Sequence, residues 1–331
     1  MSRTIPSKAR RYFGAATIAF VTLLSVPGTG HAESEWPTGP VTVLMHTKPG
    51  GTADVFIRTL AKTLEPAIGE SLVIVNAPGG GGASQMSRVR AAKPDGQTIA
   101  INTMTHFSSM LTNLKAVFAL DDFDWIASAQ EDEIILFVKT GSDLKNIDDL
   151  VAKARERSGT LNVGGFGPVG SMQYLAISML ETAADIKVNW VGFEATPDIT
   201  SALLGGHIDV GVSNLGAMQA FFEADRVKGL GVMGAKRLTG LPELPTFEEQ
   251  GYDVDTSWVQ VRGFFGPAGI PMETQQKIAD AIHEAMKSED YQTYARAAGV
   301  TDSWMGPVDY TEFVHRATST ADKQLKAAGL K

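Results

Sequence analysis

The chain has 331 residues, of which 29 are basic and 37 acidic, and its formal net charge is −8. This acidic balance argues against nucleic acid or an anionic membrane surface as a partner. The absence of cysteine excludes disulfides, thiolate chemistry and cysteine-ligated metals. With 44% hydrophobic residues, the chain can bury one or two cores of ordinary domain size.

The first 32 residues have the pattern of a signal peptide. A basic region that ends at Arg10-Arg11 precedes a mostly apolar stretch, residues 12–26, and small residues lead to a cleavage site after Ala32. The apolar stretch is too short to predict a membrane span. The arginine pair also fits twin-arginine export, but the motif is partial and the ordinary secretory route is favoured. Cleavage would leave 25 basic and 37 acidic residues, a net charge of −12, on an exported protein.

Apolar runs of strand length alternate with helical patterns along the rest of the chain, which predicts an α/β fold. Between the first two predicted strands, Phe56, Leu60 and Leu64 recur at four-residue spacing and predict one buried helix face. Thr246 and Glu249 predict a capping box at the start of a short helix. The predicted strands are 41–45, 72–76, 98–103, 124–129, 134–139, 161–164, 188–191, 210–213 and 230–233, and two C-terminal helices are predicted at about 271–287 and 308–328.

Two features suggest that the chain builds two lobes. The predicted strands 124–129 and 134–139 follow each other almost directly, and a second stretch without helical periodicity covers 252–266. Paired crossings at these places would let the chain leave one lobe, build the second and return.

A glycine turn follows the first predicted strand and precedes a helix. In Pro49-Gly50-Gly51-Thr52-Ala53-Asp54, the glycines let a ligand approach the backbone, and Thr52 can donate a hydroxyl. Asp54 falls in the first helical turn, where a carboxylate suits the helix dipole. Strand, glycine turn and helix together can aim backbone N–H groups at an anion. An ordinary βα turn explains the same residues equally well.

A similar turn, residues 164–171, ends in Gly170 and Ser171, and two such turns suggest a ligand held between two lobes. Ser171 is the expected N-cap of the next helix, so its hydroxyl either satisfies that helix or meets a ligand. Ser171 is not predicted as a nucleophile, because no G-x-S-x-G elbow surrounds it and no base is nearby in the sequence. The four glycines at 79–82 are interpreted as a compliant turn or hinge.

Polar residues follow two further predicted strands, at the place where the ligand crevice of an open parallel sheet lies. Thr103, Thr105 and His106 follow the third predicted strand, and Asn214 follows strand 210–213. These four are candidate ligand contacts. The competing interpretation of 103–106, a helix cap with a solvent-exposed histidine, is slightly favoured on sequence alone.

Signatures of an enzyme are otherwise missing from the sequence. The histidines are scattered, with no H-x-x-x-H pair for a metal, and carboxylate pairs such as Asp148-Asp149 fit solvated helix faces. The sequence therefore predicts binding without catalysis, with no catalytic residue, no metal and no cofactor. An exported hydrolase is the alternative.

Eight short motifs occur in a fixed order along the chain after residue 32. They are Trp36-Pro37, Pro49-Gly50-Gly51-x-x-Asp54, Asn76-x-Pro78-Gly79-x-Gly81-Gly82, Pro94-Asp95-Gly96-x-Thr98, Gly167-x-x-Gly170-Ser171, Ala202-Leu203-Leu204-Gly205-Gly206-His207-Ile208-Asp209, Leu244-Pro245-Thr246-Phe247-x-Glu249-x-Gly251 and Arg262-Gly263-x-x-Gly266-Pro267. With these motifs the sequence resembles the receptors of tripartite tricarboxylate transporters, the periplasmic substrate-binding proteins also called Bug or TctC receptors.

The resemblance implies a two-lobed, hinged, type II-like periplasmic-binding-protein fold, in which each lobe is a mixed sheet flanked by helices. The first lobe would comprise residues 33–131 and 257–331, and the second 132–256. A small di- or tricarboxylate or an aromatic acid would be held largely by backbone amides of the turns at 49–54 and 167–171 and by bridging waters. The receptor would be a periplasmic monomer that delivers its ligand to a membrane permease. A sensory receptor that docks on a signalling partner is a further alternative.

One segment departs from the family pattern. Many members have an aromatic residue, a lysine and paired glycines before the run at 202–206, whereas this chain has Phe193, Glu194 and no paired glycines. Asp198 falls where tricarboxylate-binding members are acidic, and Trp258 with Arg262 points the same way. Phe193 and Asp198 therefore join the candidate ligand contacts. An added carboxylate could equally repel a third charge or help to hold a cation, so the ligand's identity stays open.

Overall fold

The computed structural model describes residues 36–256 and 258–331. The predicted signal peptide and its cleavage site lie outside the described residues. Within the described ranges, no helix is long and apolar enough to cross a membrane.

Strands and helices alternate along the described chain. The strands are β1 (Val41–Met45), β2 (Leu72–Asn76), β3 (Thr98–Asn102), β4 (Phe123–Asp132), β5 (Ile134–Lys139), β6 (Asn162–Phe166), β7 (Asn189–Phe193), β8 (Val210–Ser213), β9 (Val227–Met233), β10 (Gln260–Pro267) and β11 (Thr301–Met305). The helices are α1 (Thr52–Ile68), α2 (Ala83–Arg90), α3 (Met104–Leu111), α4 (Ile147–Glu156), α5 (Met172–Ala184), α6 (Thr196–Leu204), α7 (Leu215–Glu223), α8 (Met272–Met286), α9 (Glu289–Ala298) and α10 (Pro307–Ala327). Short 3-10 turns occur at Gly80–Gly82, Leu120–Asp122 and Glu248–Gln250.

The strands form two mixed sheets. The first sheet has the order β11-β4-β10-β3-β1-β2, and the second has the order β7-β6-β8-β5-β9. β1 pairs in parallel with β2 and β3, and β6 pairs in parallel with β7 and β8. β10 and β5 run antiparallel to their neighbours. We call the part built on the first sheet the first lobe and the part built on the second sheet the second lobe; the predicted two-lobed α/β fold is confirmed.

The chain passes between the sheets close to the predicted crossings. β4 of the first sheet ends at Asp132 and β5 of the second sheet begins at Ile134, so Glu133 alone joins them. The chain returns to the first sheet between β9 and β10. The residue limits of the two lobes given above stay predictions.

Helix α1 packs on the first sheet through the face that the sequence predicts. Phe56, Leu60 and Leu64 are each at most 3% exposed, and they share a cluster with Val43 of β1 and Phe264 of β10. Burial of each large apolar side chain contributes roughly 1.5–3 kcal/mol. This packing fixes α1 against the sheet, and therefore fixes its N-terminus beside the carboxyl end of β1.

The sequence patterns do not predict β10, β11 or α9. β10 lies between β3 and β4 and is buried along its whole length, so its sequence lacks the alternation that marks a half-exposed strand. Gly263 in this strand lies directly under the buried Tyr310 of α10, whose Oη accepts a hydrogen bond from Asn102 at 2.6 Å. Only a residue without a side chain fits there.

The predicted capping box is confirmed, although it starts a 3-10 turn. The Thr246 N–H donates to Glu249 Oε2 at 2.8 Å, and the Glu249 N–H donates to Thr246 Oγ1 at 3.1 Å. Gly251 ends the turn with a φ of +87°, a conformation that glycine adopts without strain.

Replacing Gly263 by alanine is expected to lower the free energy of unfolding by about 1–3 kcal/mol through overpacking. The added Cβ would overlap Tyr310 Oη and lie 2.7 Å from the Ala127 carbonyl oxygen. Urea denaturation followed by circular dichroism measures the loss. Gly306→Ala is the matched control, because its Cβ would meet Trp304 at an ordinary 3.5 Å. Equal stability of the two variants would contradict this account of β10.

Candidate functional site

The carboxyl ends of parallel strands from both sheets meet at the interface of the two lobes. β1 and β3 of the first sheet and β7 and β8 of the second sheet end there, and each leads into a helix. A small inner cavity of about 30 Å³ lies among these ends. Since one water needs at least about 10–15 Å³, this volume admits about two water-sized groups.

Four helix N-termini border the inner cavity. The N-cap residues Gly51 of α1, Thr103 of α3, Ala195 of α6 and Asn214 of α7 all line it. Within the described residues, no side-chain hydrogen bond caps α1, α6 or α7. A helix N-terminus carries free N–H groups and acts as roughly half a positive charge. The backbone therefore makes this cavity favourable for an anion.

Two buried polar side chains after β1 also line the inner cavity. His46 Nδ1 and Thr47 Oγ1 have no hydrogen-bond partner among the described residues. Burial above all, with His106 and Arg262 nearby, holds the pKa of His46 well below its ordinary value, so the imidazole is neutral. Because buried polar groups are normally paired, these two atoms are candidate ligand contacts.

A buried arginine from β10 lines the same cavity. Arg262 is 2% exposed, and its Nη1 donates to Oδ2 of the fully buried Asp132 at 2.5 Å. Burial raises the pKa of Asp132, and the attraction of Arg262 opposes that rise. Arg262 Nε has no partner among the described residues, so the guanidinium keeps a free donor. Asn214 Nδ2 donates to the carbonyls of Asp132 and Glu133, which ties the second lobe to this pair.

A larger outer cavity, of about 280 Å³, adjoins the inner one. Both cavities have His46 and Phe166 in their walls. The glycines at 79–82 form one wall with positive φ angles, from 64° to 113°. Phe193 and Glu194 of the second lobe face this turn. The glycines at 79–82, interpreted from sequence as a compliant turn or hinge, are therefore part of the wall of the cleft.

The lobes touch each other around the inner cavity. The Met172 N–H of α5 donates to Thr105 Oγ1 at 3.3 Å. The hydroxyl oxygens of Thr52 and Thr196 lie 3.4 Å apart. These contacts join α1 and α3 of the first lobe to α5 and α6 of the second, so the cleft is closed in this conformation.

Lys48 links the two lobes at the rim. Its Nζ lies 3.1 Å from Asp198 Oδ2 and 3.6 Å from Glu194 Oε2. The hydrogen bond with Asp198 and the attraction of both carboxylates raise the pKa of Lys48. All three side chains are well exposed, so these ion pairs contribute little to stability. The three formal charges leave the rim with a net charge of −1.

Six of the thirteen contacts predicted from sequence line the cavities. Gly51, Thr52, Thr103, Thr105 and Asn214 border the inner cavity, and Phe193 borders the outer one. That these residues bind a ligand stays a prediction.

Asp54 does not line either cavity but holds the first glycine turn in shape. Its carboxylate accepts hydrogen bonds from the Gly50 N–H at 2.9 Å, Arg58 Nε at 2.9 Å and Asn76 Nδ2 at 3.0 Å. Burial would raise the pKa of Asp54, but these hydrogen bonds hold it below its ordinary value. Asp54 therefore supports the turn from behind.

Three other predicted contacts lie at the rim or in a turn. Pro49 and Gly50 are exposed, and a side chain on Gly50 would meet Pro197 of the second lobe at 3.3 Å. Asp198 is engaged by Lys48. None of the three is brought to the lining of either cavity.

Ser171 and Gly170 end the second glycine turn without lining the cavities. Ser171 Oγ donates to the Phe166 carbonyl at 3.0 Å and accepts from the Tyr174 N–H at 3.3 Å. Of the two alternatives that the sequence leaves open, the hydroxyl satisfies its own helix. Gly170 is buried and supplies the positive φ of +88° that the turn requires before Ser171.

His106 is fully buried, so the competing expectation of a solvent-exposed histidine is wrong. Its Nε2 lies 2.8 Å from Gln85 Oε1, and its Nδ1 accepts from the Thr103 N–H at 3.1 Å. Burial lowers the pKa of His106 to about 4. Thr103 is the expected helix cap, and the imidazole helps to position it beside the cavity.

Several lining residues are absent from the sequence prediction. His46 and Thr47 directly follow β1, so the strand-end argument applied to Thr103 could have found them. Gln260 and Arg262 lie on β10, a strand that the sequence pattern does not reveal.

A profile of the family described as "Tripartite tricarboxylate transporter family receptor" matches residues 56–330. A UPF0065 protein of Bordetella pertussis is 25% identical over 316 residues, which cover 95% of this chain and 96% of that protein. The predicted family resemblance is therefore confirmed.

Solved structures share the fold over nearly their full lengths. The periplasmic binding protein BugD is 22% identical, with a TM-score of 0.82 over 89% of this chain and 99% of that chain. MatC from Rhodopseudomonas palustris with bound malate is 23% identical, with a TM-score of 0.79 over 88% and 100%. A second R. palustris protein, solved with adipate, is 25% identical, with a TM-score of 0.81 over 89% and 99%.

The buried His106 predicts an acid-sensitive fold. The folded state lowers the pKa of His106 from 6.5 to about 4, so the folded protein binds a proton at this site less readily than the unfolded chain does. The free energy of unfolding is therefore unaffected by His106 above about pH 6.5, and it decreases as the pH falls from 6.5 towards 4. The difference corresponds to about 3 kcal/mol. Urea denaturation between pH 7 and pH 4 should show a smaller fall for His106→Gln than for the wild type. His315→Gln, at an exposed position of α10, should behave as wild type; an unchanged pH profile of His106→Gln would contradict the account.

Proposed function

The chain belongs to the tripartite tricarboxylate transporter family of receptors, which are periplasmic solute-binding proteins, and from this premise we propose that it binds a small organic carboxylate between its lobes. It delivers this acid to the permease of a tripartite transporter. It acts as a monomer after cleavage behind Ala32, with lobes 33–131 plus 257–331 and 132–256. The malate and adipate bound to proteins of similar fold support a dicarboxylate or related acid as ligand.

The convergence of four helix N-termini and one buried guanidinium on the inner cavity carries this proposal. Uncapped N–H groups of α1, α6 and α7 and the free Nε of Arg262 all favour a carboxylate. His46 Nδ1 and Thr47 Oγ1 add polar atoms without partners among the described residues. Each charge-assisted hydrogen bond contributes roughly 1.5–3 kcal/mol.

The acidic character of the whole protein is compatible with an anionic ligand. Long-range repulsion is screened beyond about 8 Å at physiological salt. Attraction inside the closed cleft is screened much less, because the cavity lies between the lobes. The local field of the helix ends and the free donor of Arg262 therefore favours an anionic group in the inner cavity, in spite of the net charge of the chain.

The alternative of an exported hydrolase has less support from the geometry. Ser171 Oγ is engaged by its own helix and by Phe166, and His106 is engaged by Gln85 and Thr103. Neither residue lines a cavity. A sensory receptor would also close on a ligand, so closure does not distinguish it from a transport receptor. Genes for a large and a small membrane subunit next to this gene would indicate transport.

Thermal melting of the purified protein with malate, adipate, citrate and benzoate tests the proposal directly. At least one acid is expected to stabilise the fold saturably, by about 2.7 kcal/mol at a hundredfold excess over its Kd. The uncharged diamide of malate is the control, since it lacks the charge that the cavity favours. Absence of a shift with these four acids and also with 4-aminobutanoate would overturn the carboxylate assignment.

Thr47→Val and Ser171→Ala form a matched pair for locating the site. Thr47→Val removes a hydroxyl without a described partner, so it should leave the free energy of unfolding unchanged or higher. It should weaken the best acid of the panel by about tenfold to a hundredfold, equivalent to one charge-assisted hydrogen bond. Ser171→Ala should lose about 1 kcal/mol of stability with its cap and keep its affinity. Calorimetric titration and urea denaturation measure both quantities; the reverse pattern would place the ligand at Ser171.

A further inference from the structure

The two ends of the cleft differ in charge. The inner cavity is lined by Arg262 and by four helix N-termini. Among the described residues that line the outer cavity, Glu194 is the only charged side chain, because burial keeps His46 neutral. A ligand that occupies both cavities therefore meets helix N-termini and the free Nε donor of Arg262, whose charge is paired with Asp132, at the inner end, and the Glu194 carboxylate at the outer end.

Glu194 faces the space that the outer end of a ligand would occupy. A Cβ placed on Gly79 would lie 3.9 Å from Glu194 Oε1, so the carboxylate reaches across the cavity to the glycines at 79–82 of the first lobe. The turn itself contributes backbone and no side chain from residues 79–82. The Asn113 side chain, the one amide side chain among the described lining residues, is uncharged.

Lys48 only partly offsets the charge of Glu194, because Asp198 shares the same ammonium. It lies closer to Asp198, at 3.1 Å, than to Glu194, at 3.6 Å. With two carboxylates for one ammonium, the rim retains a net charge of −1. Lys48 is also absent from the lining of the outer cavity. A second carboxylate on the ligand would add a like charge to this end, whereas an ammonium group would supply the missing cation.

We propose that the ligand is dipolar, with a carboxylate in the inner cavity and an ammonium group in the outer cavity beside Glu194. This inference rests on the proposed function and narrows the substrate class from carboxylates in general to amino acids whose two charged groups are separated. Exchange of a repulsive for an attractive charge next to Glu194 should change affinity by about tenfold or more, even with the screening of water.

Matched ligand pairs test this preference. Glutarate is compared with 4-aminobutanoate, and adipate with 5-aminopentanoate, by calorimetric titration of the full protein in low-salt buffer. In each pair the methylene chain is the same and only the distal group changes. The wild type is expected to bind the amino acid about tenfold more tightly than the dicarboxylate in at least one pair, and added salt should reduce the ratio.

Two substitutions at Glu194 link the preference to this side chain. Glu194→Gln should abolish it, and Glu194→Lys should reverse it. Glu248→Lys makes the same change of charge at an exposed position that lines neither cavity, and it should keep the wild-type ratio. Equal or tighter binding of both dicarboxylates by the wild type would overturn the inference and leave the proposed function intact. Failure of all four compounds to bind would count against both.

Discussion

A parallel strand followed by a helix places the helix N-terminus at the carboxyl edge of its sheet, and this constraint organises the whole molecule. β1 and β3 do so in the first lobe, and β7 and β8 do so in the second. Because the two edges face each other, four positive helix ends meet in one small cavity. In an acidic protein, this arrangement makes one cavity locally favourable for an anion without a surplus of basic residues.

Several buried polar groups around the cavity are left without a hydrogen-bond partner among the described residues, which supports the proposed ligand site. Arg262 has one acidic partner, Asp132, yet its Nε is left without a partner among the described residues. His46 and Thr47 show the same pattern after β1. Buried polar atoms without a partner lower the stability of the unliganded protein, and a ligand that forms hydrogen bonds with them would offset this loss. The unliganded protein is consequently less stable than it would be with apolar side chains at these positions.

Sequence reasoning succeeded for residues whose place follows from local order along the chain. Thr103 and Asn214 follow strand ends, and the structure places both beside the inner cavity. The same reasoning did not predict that His106 is buried, where its Nε2 lies 2.8 Å from Oε1 of Gln85, 21 positions earlier in the chain. It left Ser171 undecided, because the partners of a hydroxyl depend on the fold of its turn.

The sequence by itself determined the α/β class, the alternation of strands and helices, the two glycine turns and the family. These features depend on local periodicity, turn chemistry and short motifs, all of which can be read along the chain. Only the tertiary structure decided which side chains line the cleft and which of the charged ones are paired. Arg262 and Asp132 form an ion pair although they are 130 positions apart in the sequence, and Glu194 lies opposite Gly79 although more than a hundred positions separate them. Burial and pairing over such separations follow from the packing of two sheets, which no local pattern encodes.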